Sequence, residues 1–287
     1  MTPSFGDRLS STFDSAGRLC VGIDPHSYLL GQWGLSDDAR GVRDFGLRVV
    51  EAAWGRAGIV KPQVAFFERH GSAGYTALED VLSAARDAGL VVIADVKRGD
   101  VGTSVEAYGE AWLTPGSPLE ADAMTISAFQ GVGSIAAPHA LALAGGKGLF
   151  VLAATSNPEA ASLQTAILSA GPSAGRSVAA SIVADVHDWN STETASGPST
   201  LGSTGVVIGA TIGLADYGIE TSSLAVTPIL APGFGHQGAI VSDATRLFGA
   251  ASAGVIVSAS RSILAAGPSG VAAAIDAQAA EIAGAFA

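Results

Sequence analysis

The stretch that decides the fold is Val91-Val92-Ile93-Ala94-Asp95-Val96-Lys97-Arg98-Gly99-Asp100. An apolar run leads into two charged residues, Asp95 and Lys97, which stand two positions apart. In a β-strand, residues two apart point to the same face, so these charges share one face while Ala94 and Val96 point to the other. The pattern predicts a buried strand with an apolar face under helices and a charged carboxyl end that opens onto a site.

Apolar runs of this kind recur along the 287 residues and alternate with Ala-rich helical stretches. We predict strands at 19–24, 59–61, 91–97, 124–127, 149–155, 206–210, 226–231 and 255–260. We predict helices near 41–57, 73–88, 103–113, 132–144, 173–188, 242–249 and 269–285, and a weak helix or a loop over 211–224.

Eight strands that alternate with helices predict an α/β protein, a single-domain (β/α)8 TIM barrel over 1–287. A doubly wound open sheet uses the same alternation and is the alternative. The Ser-, Thr- and Gly-rich stretch 188–203 is predicted to be a surface loop insertion.

Composition restricts the possible partners of the chain. Only 14% of residues are charged and the formal net charge is -11, so we expect no binding to nucleic acid, whose phosphates repel such a surface. The single cysteine, Cys20, permits no internal disulfide, in agreement with a reducing compartment. The first residues lack the pattern of a signal peptide. The stretch 123–146 has no Asp, Glu, Lys or Arg, but Gln130, Pro138 and several glycines interrupt it, so we expect no membrane span and a cytoplasmic protein.

The distribution of lysines points to a site. The chain has three lysines, Lys61, Lys97 and Lys147, and the first two end apolar strand candidates. Burying a lysine in apolar surroundings is costly unless it is paired, although a lysine at a strand end can also extend its ammonium group to solvent. Asp24 ends the first strand, and Asp100 lies three residues beyond Lys97. These charges and Asp95 therefore meet at the carboxyl ends of neighbouring strands, where barrel active sites form. Structural ion pairs are the alternative.

A second half of the site is predicted after the last two strands. The Gly-rich segment 231–238 follows the seventh strand, and Ser258-Ala259-Ser260-Arg261 follows the eighth. The loops after these strands are the usual phosphate site of such barrels. Arg261 offers a planar fork of donors to phosphate oxygens. A dinucleotide site is not expected, because no G-x-G-x-x-G follows the first strand.

These residues resemble one family in order along nearly the whole chain. Asp95-Val96-Lys97-Arg98-Gly99-Asp100 resembles the Asp-x-Lys-x-x-Asp motif of orotidine 5'-phosphate decarboxylases, and the longer string through Tyr108 is similar to the second bacterial type, common in actinobacteria. Further matches are Gly22-Ile23-Asp24-Pro25-His26, the stretch from Val60 to Glu68, Ala154-Thr155-Ser156-Asn157-Pro158 and Pro232-Gly233-x-Gly235-x-Gln237-Gly238. Ala239 departs from the family, which often has a second glycine there.

The resemblance implies an enzyme that converts orotidine 5'-phosphate to UMP without metal or cofactor. Lys97, Asp95 and Asp100 would form the catalytic array, with Asp100 lent by the partner subunit of a homodimer. By the same resemblance, Asp24 and Lys61 would bind the ribose hydroxyls and Ser156 the pyrimidine edge. Gln237 and Arg261, with backbone amides near Gly235 and Ser260, would hold the 5'-phosphate.

The mechanism expected from this array is electrostatic. Lys97 would stay protonated between carboxylates, stabilise the negative charge that develops at C6 and then donate its proton there. The nearest rival is a metal-dependent relative that acts on sugar phosphates and shares the Asp-x-Lys-x-x-Asp pattern. That rival needs a carboxylate at the end of the second strand, where this chain has Lys61. A noncatalytic binder of phosphoribosyl ligands is the rival from another class.

Overall fold

The computed structural model describes residues 2–195, 199–235 and 238–286. Eight parallel strands close into a barrel in chain order, with β1 paired to β8. The strands are β1 Leu19–Ile23, β2 Ile59–Pro62, β3 Val91–Arg98, β4 Ala123–Ile126, β5 Gly148–Ala154, β6 Thr204–Ile208, β7 Ile229–Pro232 and β8 Val255–Ala259. The predicted (β/α)8 barrel is confirmed, because an open sheet would leave β1 and β8 unpaired.

Helices separate the strands and cover the outside of the barrel. They are α1 Phe5–Ala16, α2 Ser27–Gln32, α3 Ala39–Ala53, α4 Ala65–Glu68, α5 Gly71–Asp87, α6 Gly102–Leu113, α7 Ala136–Gly145, α8 Pro158–Gln164, α9 Val178–Thr194, α10 Ala244–Phe248, α11 Arg261–Leu264 and α12 Gly267–Ala285. The stretch 211–224 contains two short 3-10 helices, Leu214–Tyr217 and Thr221–Leu224. All seven predicted helices are present, whereas α1, α2, α4, α8 and α11 were not predicted. Among the described residues, no helix has both the length and the apolar character that crossing a membrane requires.

Helix α1 closes the amino-terminal end of the barrel. Phe5 and Leu9 are fully buried and pack with the side chains that fill the barrel interior. The ring of Phe5 meets that of Phe150 edge to face, with 6.0 Å between centroids. A Cβ at position 148 would lie 2.4 Å from the Phe5 ring, so Gly148 leaves the space that Phe5 occupies. The helix begins at Ser4, whose hydroxyl accepts a hydrogen bond from the Asp7 amide, and the Ser4-x-x-Asp7 spacing could have predicted that start.

The third lysine lies at this same end, opposite the predicted site. Lys147 immediately precedes β5, and its ammonium is 2.7 Å from Glu120 and 3.7 Å from Asp122. Asp122 also pairs with Arg8 of α1 and accepts the backbone N–H of Val92. These ion pairs connect α1 to the strands that it covers, so Lys147 has a structural role.

The predicted surface loop over 188–203 is wrong for its first part. Helix α9 continues to Thr194, because polar side chains on its last turns point inward and bind the barrel. Asn190 is fully buried and donates to the Thr204 carbonyl at 2.7 Å and to Thr227 Oγ1 at 3.1 Å. Glu193 accepts the amide and the hydroxyl of Ser203. The polar composition was interpreted as solvated, whereas these groups satisfy one another in the interior.

Candidate active site

A cavity of about 420 Å³ opens at the carboxyl ends of the strands. Seven of the side chains predicted from the sequence line it: Asp24, Lys61, Asp95, Lys97, Ser156, Ser260 and Arg261. Parallel strands bring these residues together because their carboxyl ends all meet at one end of the barrel. Leu152, Val207 and Leu230 add apolar surface inside the same cavity.

Asp95 is at the centre of the charged half of the cavity. One carboxylate oxygen, Oδ2, accepts Lys61 Nζ at 2.8 Å and Gln63 Nε2 at 3.0 Å. The other, Oδ1, accepts Lys97 Nζ at 2.5 Å and Thr125 Oγ1 at 2.9 Å. Four donors thus surround a carboxylate that is only 7% exposed. Such a shell fixes the orientation of the carboxylate and compensates for its loss of water.

These contacts keep Asp95 and Lys61 charged. Burial opposes ionisation of Asp95, but the charges of Lys61 and Lys97 outweigh it and lower the pKa of the carboxyl. Burial likewise favours neutral Lys61, yet the neighbouring Asp95 and Asp24 carboxylates raise the pKa of its amine above the ordinary value. Lys61 and Asp95 are therefore an ion pair across the whole physiological pH range.

The backbone at Lys97 has an unusual, left-handed conformation. The φ of Lys97 is +48°, and Lys97 is the one residue other than glycine with a positive φ among those that the structure describes. The turn coincides with a bulge: between the pairs Ala94–Met124 and Arg98–Ile126, β3 advances four residues while β4 advances two. The Lys97 amide donates to Thr125 Oγ1 at 2.9 Å. The bulge lets Lys97 turn its half-exposed side chain along the mouth of the cavity while its Nζ reaches back to Asp95; bulges often redirect a side chain in this way.

Asp24 lies beside the eighth strand. Its Oδ2 accepts the Ser260 hydroxyl at 2.5 Å, whereas its Oδ1 is buried and has no hydrogen-bond partner among the described residues. A Cβ at position 22 would lie 2.6 Å from Ser260 Cβ, so Gly22 permits the close approach of Ser260 to β1. The open acceptor in the cavity wall can receive a hydrogen bond from a hydroxyl group of a ligand.

Only some of the residues predicted to bind phosphate line the cavity. Arg261, the first residue of α11, lines the cavity, and its guanidinium forms no hydrogen bond or ion pair with any described residue. Gly233 and Phe234 line the cavity, but Gly235 does not, and the Gly235 amide donates to the Ala239 carbonyl at 2.8 Å. Gln237 lies outside the described residues. The glycine that lines the cavity is therefore Gly233, whereas the sequence had suggested Gly235.

Asp100 does not join the array of its own chain. Its carboxylate accepts the amide of the next residue, Val101, at 2.8 Å, and it is absent from the cavity lining. Among the described residues, the Lys97 ammonium forms an ion pair with Asp95 alone. A single chain therefore supplies two of the three residues in the predicted catalytic array.

Two residues of the site were missed from the sequence. Gln63 and Thr125 both bind Asp95, and they come from the segment after β2 and from β4. Gln63 lay within the quoted 60–68 motif, and Thr125 is a polar residue inside an apolar strand, which was the available signal.

No group of three or more His, Cys, Asp or Glu side chains suited to a metal ion occurs in 2–195, 199–235 and 238–286.

The sequence is similar to those of known decarboxylases. A model of the Orotidine 5'-phosphate decarboxylase / HUMPS family matches residues 17–275. An orotidine 5'-phosphate decarboxylase of Salinispora tropica is 47% identical over 94% of this chain and 92% of its own. One from Streptomyces coelicolor is 46% identical, over 92% of this chain and 91% of its own.

Solved structures agree with these relatives. The crystal structure of a Streptomyces avermitilis protein that was proposed to be an orotidine 5'-phosphate decarboxylase has a TM-score of 0.91 and 44% identity, and the match covers 99% of this chain and 96% of that one. An orotidine monophosphate decarboxylase of Leishmania donovani has a TM-score of 0.75 and 27% identity, over 99% of both chains. The barrel, the charged cavity and these likenesses agree, and the chain belongs to the orotidine 5'-phosphate decarboxylase family.

Proposed function

We propose that the chain converts orotidine 5'-phosphate to UMP and CO2, the last step of de novo pyrimidine nucleotide synthesis, without metal or cofactor. The observation that carries the proposal is the geometry of one cavity. In its charged half, Asp95 binds both Lys61 and Lys97. In its other half lies the guanidinium of Arg261, which forms no hydrogen bond or ion pair with a described residue. A ligand with a reactive anionic end and a phosphate end matches both halves.

Lys97 is the proton donor in this mechanism. The bond between C6 and the carboxylate carbon breaks, CO2 leaves, and the electron pair remains at C6. The ammonium of Lys97 stabilises that charge as it develops and then transfers a proton to C6. Asp95 holds Lys97 in position at 2.5 Å and faces the substrate carboxylate. The neutral amine of Lys97 regains its proton from water after the product leaves.

The remaining residues bind the rest of the substrate. Asp24 has an open buried acceptor for a ribose hydroxyl, and Lys61 adds a donor beside it. Ser156, at the rim of the same cavity, contacts the pyrimidine edge. Arg261 binds the 5'-phosphate, together with Gln237 and backbone amides near Ser260 and the Gly233–Gly235 loop. Binding energy from the phosphate can lower the barrier at the remote C6 by ordering the array.

The active unit in this proposal is a homodimer. Within its own chain Asp100 accepts the amide of Val101. A twofold axis near the cavity mouth would let the Asp100 of each subunit complete the array of the other. The cytoplasmic location expected from the sequence stays a prediction.

The metal-dependent rival differs from this proposal at Lys61, and the noncatalytic rival differs from it at Lys97. A metal-dependent enzyme acting on sugar phosphates needs an anionic ligand where β2 ends, and here a buried ammonium lies 2.8 Å from Asp95. Its charge repels a divalent ion. A noncatalytic binder of phosphoribosyl ligands would have no need of a proton donor held against a carboxylate.

The test follows the absorbance of orotidine 5'-phosphate with purified, EDTA-treated protein and with the Lys97→Ala variant. We expect the absorbance change of decarboxylation with wild-type protein and almost none with the variant. Activity that disappears in EDTA and returns with Mg²⁺ would favour the metal-dependent rival. Binding of UMP without turnover would favour the noncatalytic one.

A further inference from the structure

Arg98 directly follows Lys97 and lies on the other side of β3, outside the cavity. Its Nη2 donates to Glu68 Oε1 at 2.8 Å and lies 3.2 Å from the Tyr75 hydroxyl. The Tyr75 hydroxyl in turn donates to the same Glu68 oxygen at 2.9 Å. We call Glu68, Tyr75 and Arg98 the outer clamp. It connects the carboxyl end of β3 to α4 and α5, and none of its members lines the cavity.

The turn that the outer clamp holds is intrinsically unfavourable. A residue with a side chain resists positive φ, and such a conformation persists only where the surroundings hold it in place. On the inner side, Lys97 is held by Thr125 through its amide and by Asp95 through its ammonium. On the outer side, the next residue is anchored by its carbonyl, which accepts the Ser127 amide at 2.7 Å, and by its guanidinium in the clamp.

The segment after β2 touches both sides of this turn. Gln63, just past the end of β2, donates to Asp95 inside the cavity, and Glu68, the last residue of α4, binds Arg98 outside it. One short segment thus holds the carboxyl end of β3 between two contacts. A shift of this segment, residues 63–68, would displace both Asp95 and Arg98, and Lys97 lies between them in the sequence.

We propose that the outer clamp is a positioning device: Arg98, held by Glu68 and Tyr75, fixes the left-handed turn at Lys97 and so sets where the Lys97 ammonium stands in the array. The inference deepens the proposed function and rests on it for its kinetic consequence. Arg98 is not itself a catalytic residue, because it does not reach the cavity.

The test uses Glu68→Gln and Arg98→Met, which remove the charge from one side of the clamp each, and Arg98→Lys, which keeps the charge but loses the fork that reaches two partners. The matched control is Arg43→Met. It breaks another ion pair, Arg43–Asp80 at 2.5 Å, which connects α5 to α3 instead of to the end of β3, and neither residue lines the cavity.

We expect Glu68→Gln and Arg98→Met to lower kcat about tenfold to a hundredfold, the scale of a reacting group misplaced by a fraction of an ångström to an ångström. KM should change by less than about threefold, because the substrate-binding residues are untouched. Arg98→Lys should lose less than Arg98→Met. Thermal stability of the clamp variants should fall no further than that of Arg43→Met, whose kcat should equal that of the wild type.

A second readout is independent of activity. The chain has three lysines, so labelling lysine with 13C at Cε gives three resonances, and Lys97→Ala assigns the relevant one. The Lys97 resonance should shift in Glu68→Gln and Arg98→Met and stay in place in Arg43→Met. The Lys147 resonance, at the opposite end of the barrel, should not move in any clamp variant.

An unmoved Lys97 resonance, or a kcat in the clamp variants equal to that of Arg43→Met, would overturn the positioning role. If a clamp variant fails to fold, Tyr75→Phe removes a single hydroxyl from the clamp and supplies the same two readouts at smaller amplitude. A wild-type protein with no decarboxylase activity would instead refute the proposed function, while the resonances would still show whether the clamp positions Lys97.

Discussion

At Asp95, burial favours the neutral carboxyl group and the neighbouring ammonium groups favour the ionised one. The ionised form prevails because four donors converge on one carboxylate. Lys61 and Asp95 have almost no contact with solvent. Each would be unstable as an ion without the other, since an unpaired buried charge costs several kcal/mol. The pair therefore contributes to stability only while both partners are present, and both partners also line the candidate cavity.

We expect Asp95→Asn to destabilise the protein by about 3–5 kcal/mol, because it leaves the buried Lys61 ammonium unpaired. The double variant Lys61→Met with Asp95→Asn should recover most of that loss. Denaturant unfolding of the wild type and the two variants measures both differences. Equal stability of Asp95→Asn and the double variant would show that the ion pair is not the source of the loss.

The same comparison has a defined dependence on pH. The pKa of Asp95 is lowered in the folded protein, so its stabilisation is complete above its unfolded value of about 3.9 and is lost as the pH falls toward the lower folded value. The pKa of Lys61 is raised, so its contribution is complete below about 10.4 and is lost at higher pH. The stability difference between wild type and Asp95→Asn should therefore be fully present at about pH 5 and shrink below about pH 4.

Arg261 is the residue in the cavity whose cationic group has no protein partner among the described residues. We expect Arg261→Ala to weaken binding of orotidine 5'-phosphate by ~1.5–3 kcal/mol, the usual size of a charge-assisted contact. Binding of orotidine, which lacks the phosphate, should change far less. Isothermal titration of both ligands makes the comparison, and equal losses would show that Arg261 does not contact the phosphate.

At the scale of elements, the two ends of the barrel differ in what they bury. The carboxyl ends of the strands carry the cavity and the bulged end of β3, whereas the amino end is closed by α1 through Phe5 and Leu9. Stability and function are thus separated along the strands, as in other barrels of this class.

Gly148 tests that separation. An added Cβ would overlap the Phe5 ring at 2.4 Å, so we expect Gly148→Ala to lower the free energy of unfolding by about 1–3 kcal/mol, as overpacking does. The kcat of the remaining folded protein should be unchanged, because the cavity is at the other end. Gly284→Ala in α12 is the matched control: its Cβ would meet nothing within 4 Å. Equal stability of the two variants would show that α1 adjusts to the added methyl group.

At the scale of the whole molecule, the proposed homodimer can be tested at Asp100, which within one chain accepts the amide of its neighbour Val101. Lys97→Ala and Asp100→Ala should each be nearly inactive as homodimers. If Asp100 serves the partner subunit, a mixed dimer gathers both defects in one site and leaves the other site intact.

Unfolding the two inactive variants together and refolding them should therefore restore activity. Random pairing makes about half of the dimers mixed, and each has one good site of two, so roughly a quarter of wild-type activity should return. Native mass spectrometry confirms that mixed dimers have formed. Mixed dimers without activity would contradict the shared array while leaving the decarboxylase assignment intact.

The eight strands and most of the surrounding helices could be predicted from the sequence because apolar periodicity is a local property. Elements with few apolar residues were not predicted. Helix α1 carries a polar surface around the three residues that it buries, and the last turns of α9 use polar groups that were interpreted as solvated.

The same division holds for the site. Asp24, Lys61, Asp95 and Lys97 could be read directly from the sequence, because a charge at the end of an apolar run conflicts with its surroundings unless it is used. Only the closed barrel decided that Gln63 and Thr125 complete the shell of Asp95, that Lys97 takes a left-handed turn, and that Glu68 and Arg98 meet behind it. These contacts join residues about 30 positions apart, and no local pattern specifies which side chains will meet once the strands are side by side.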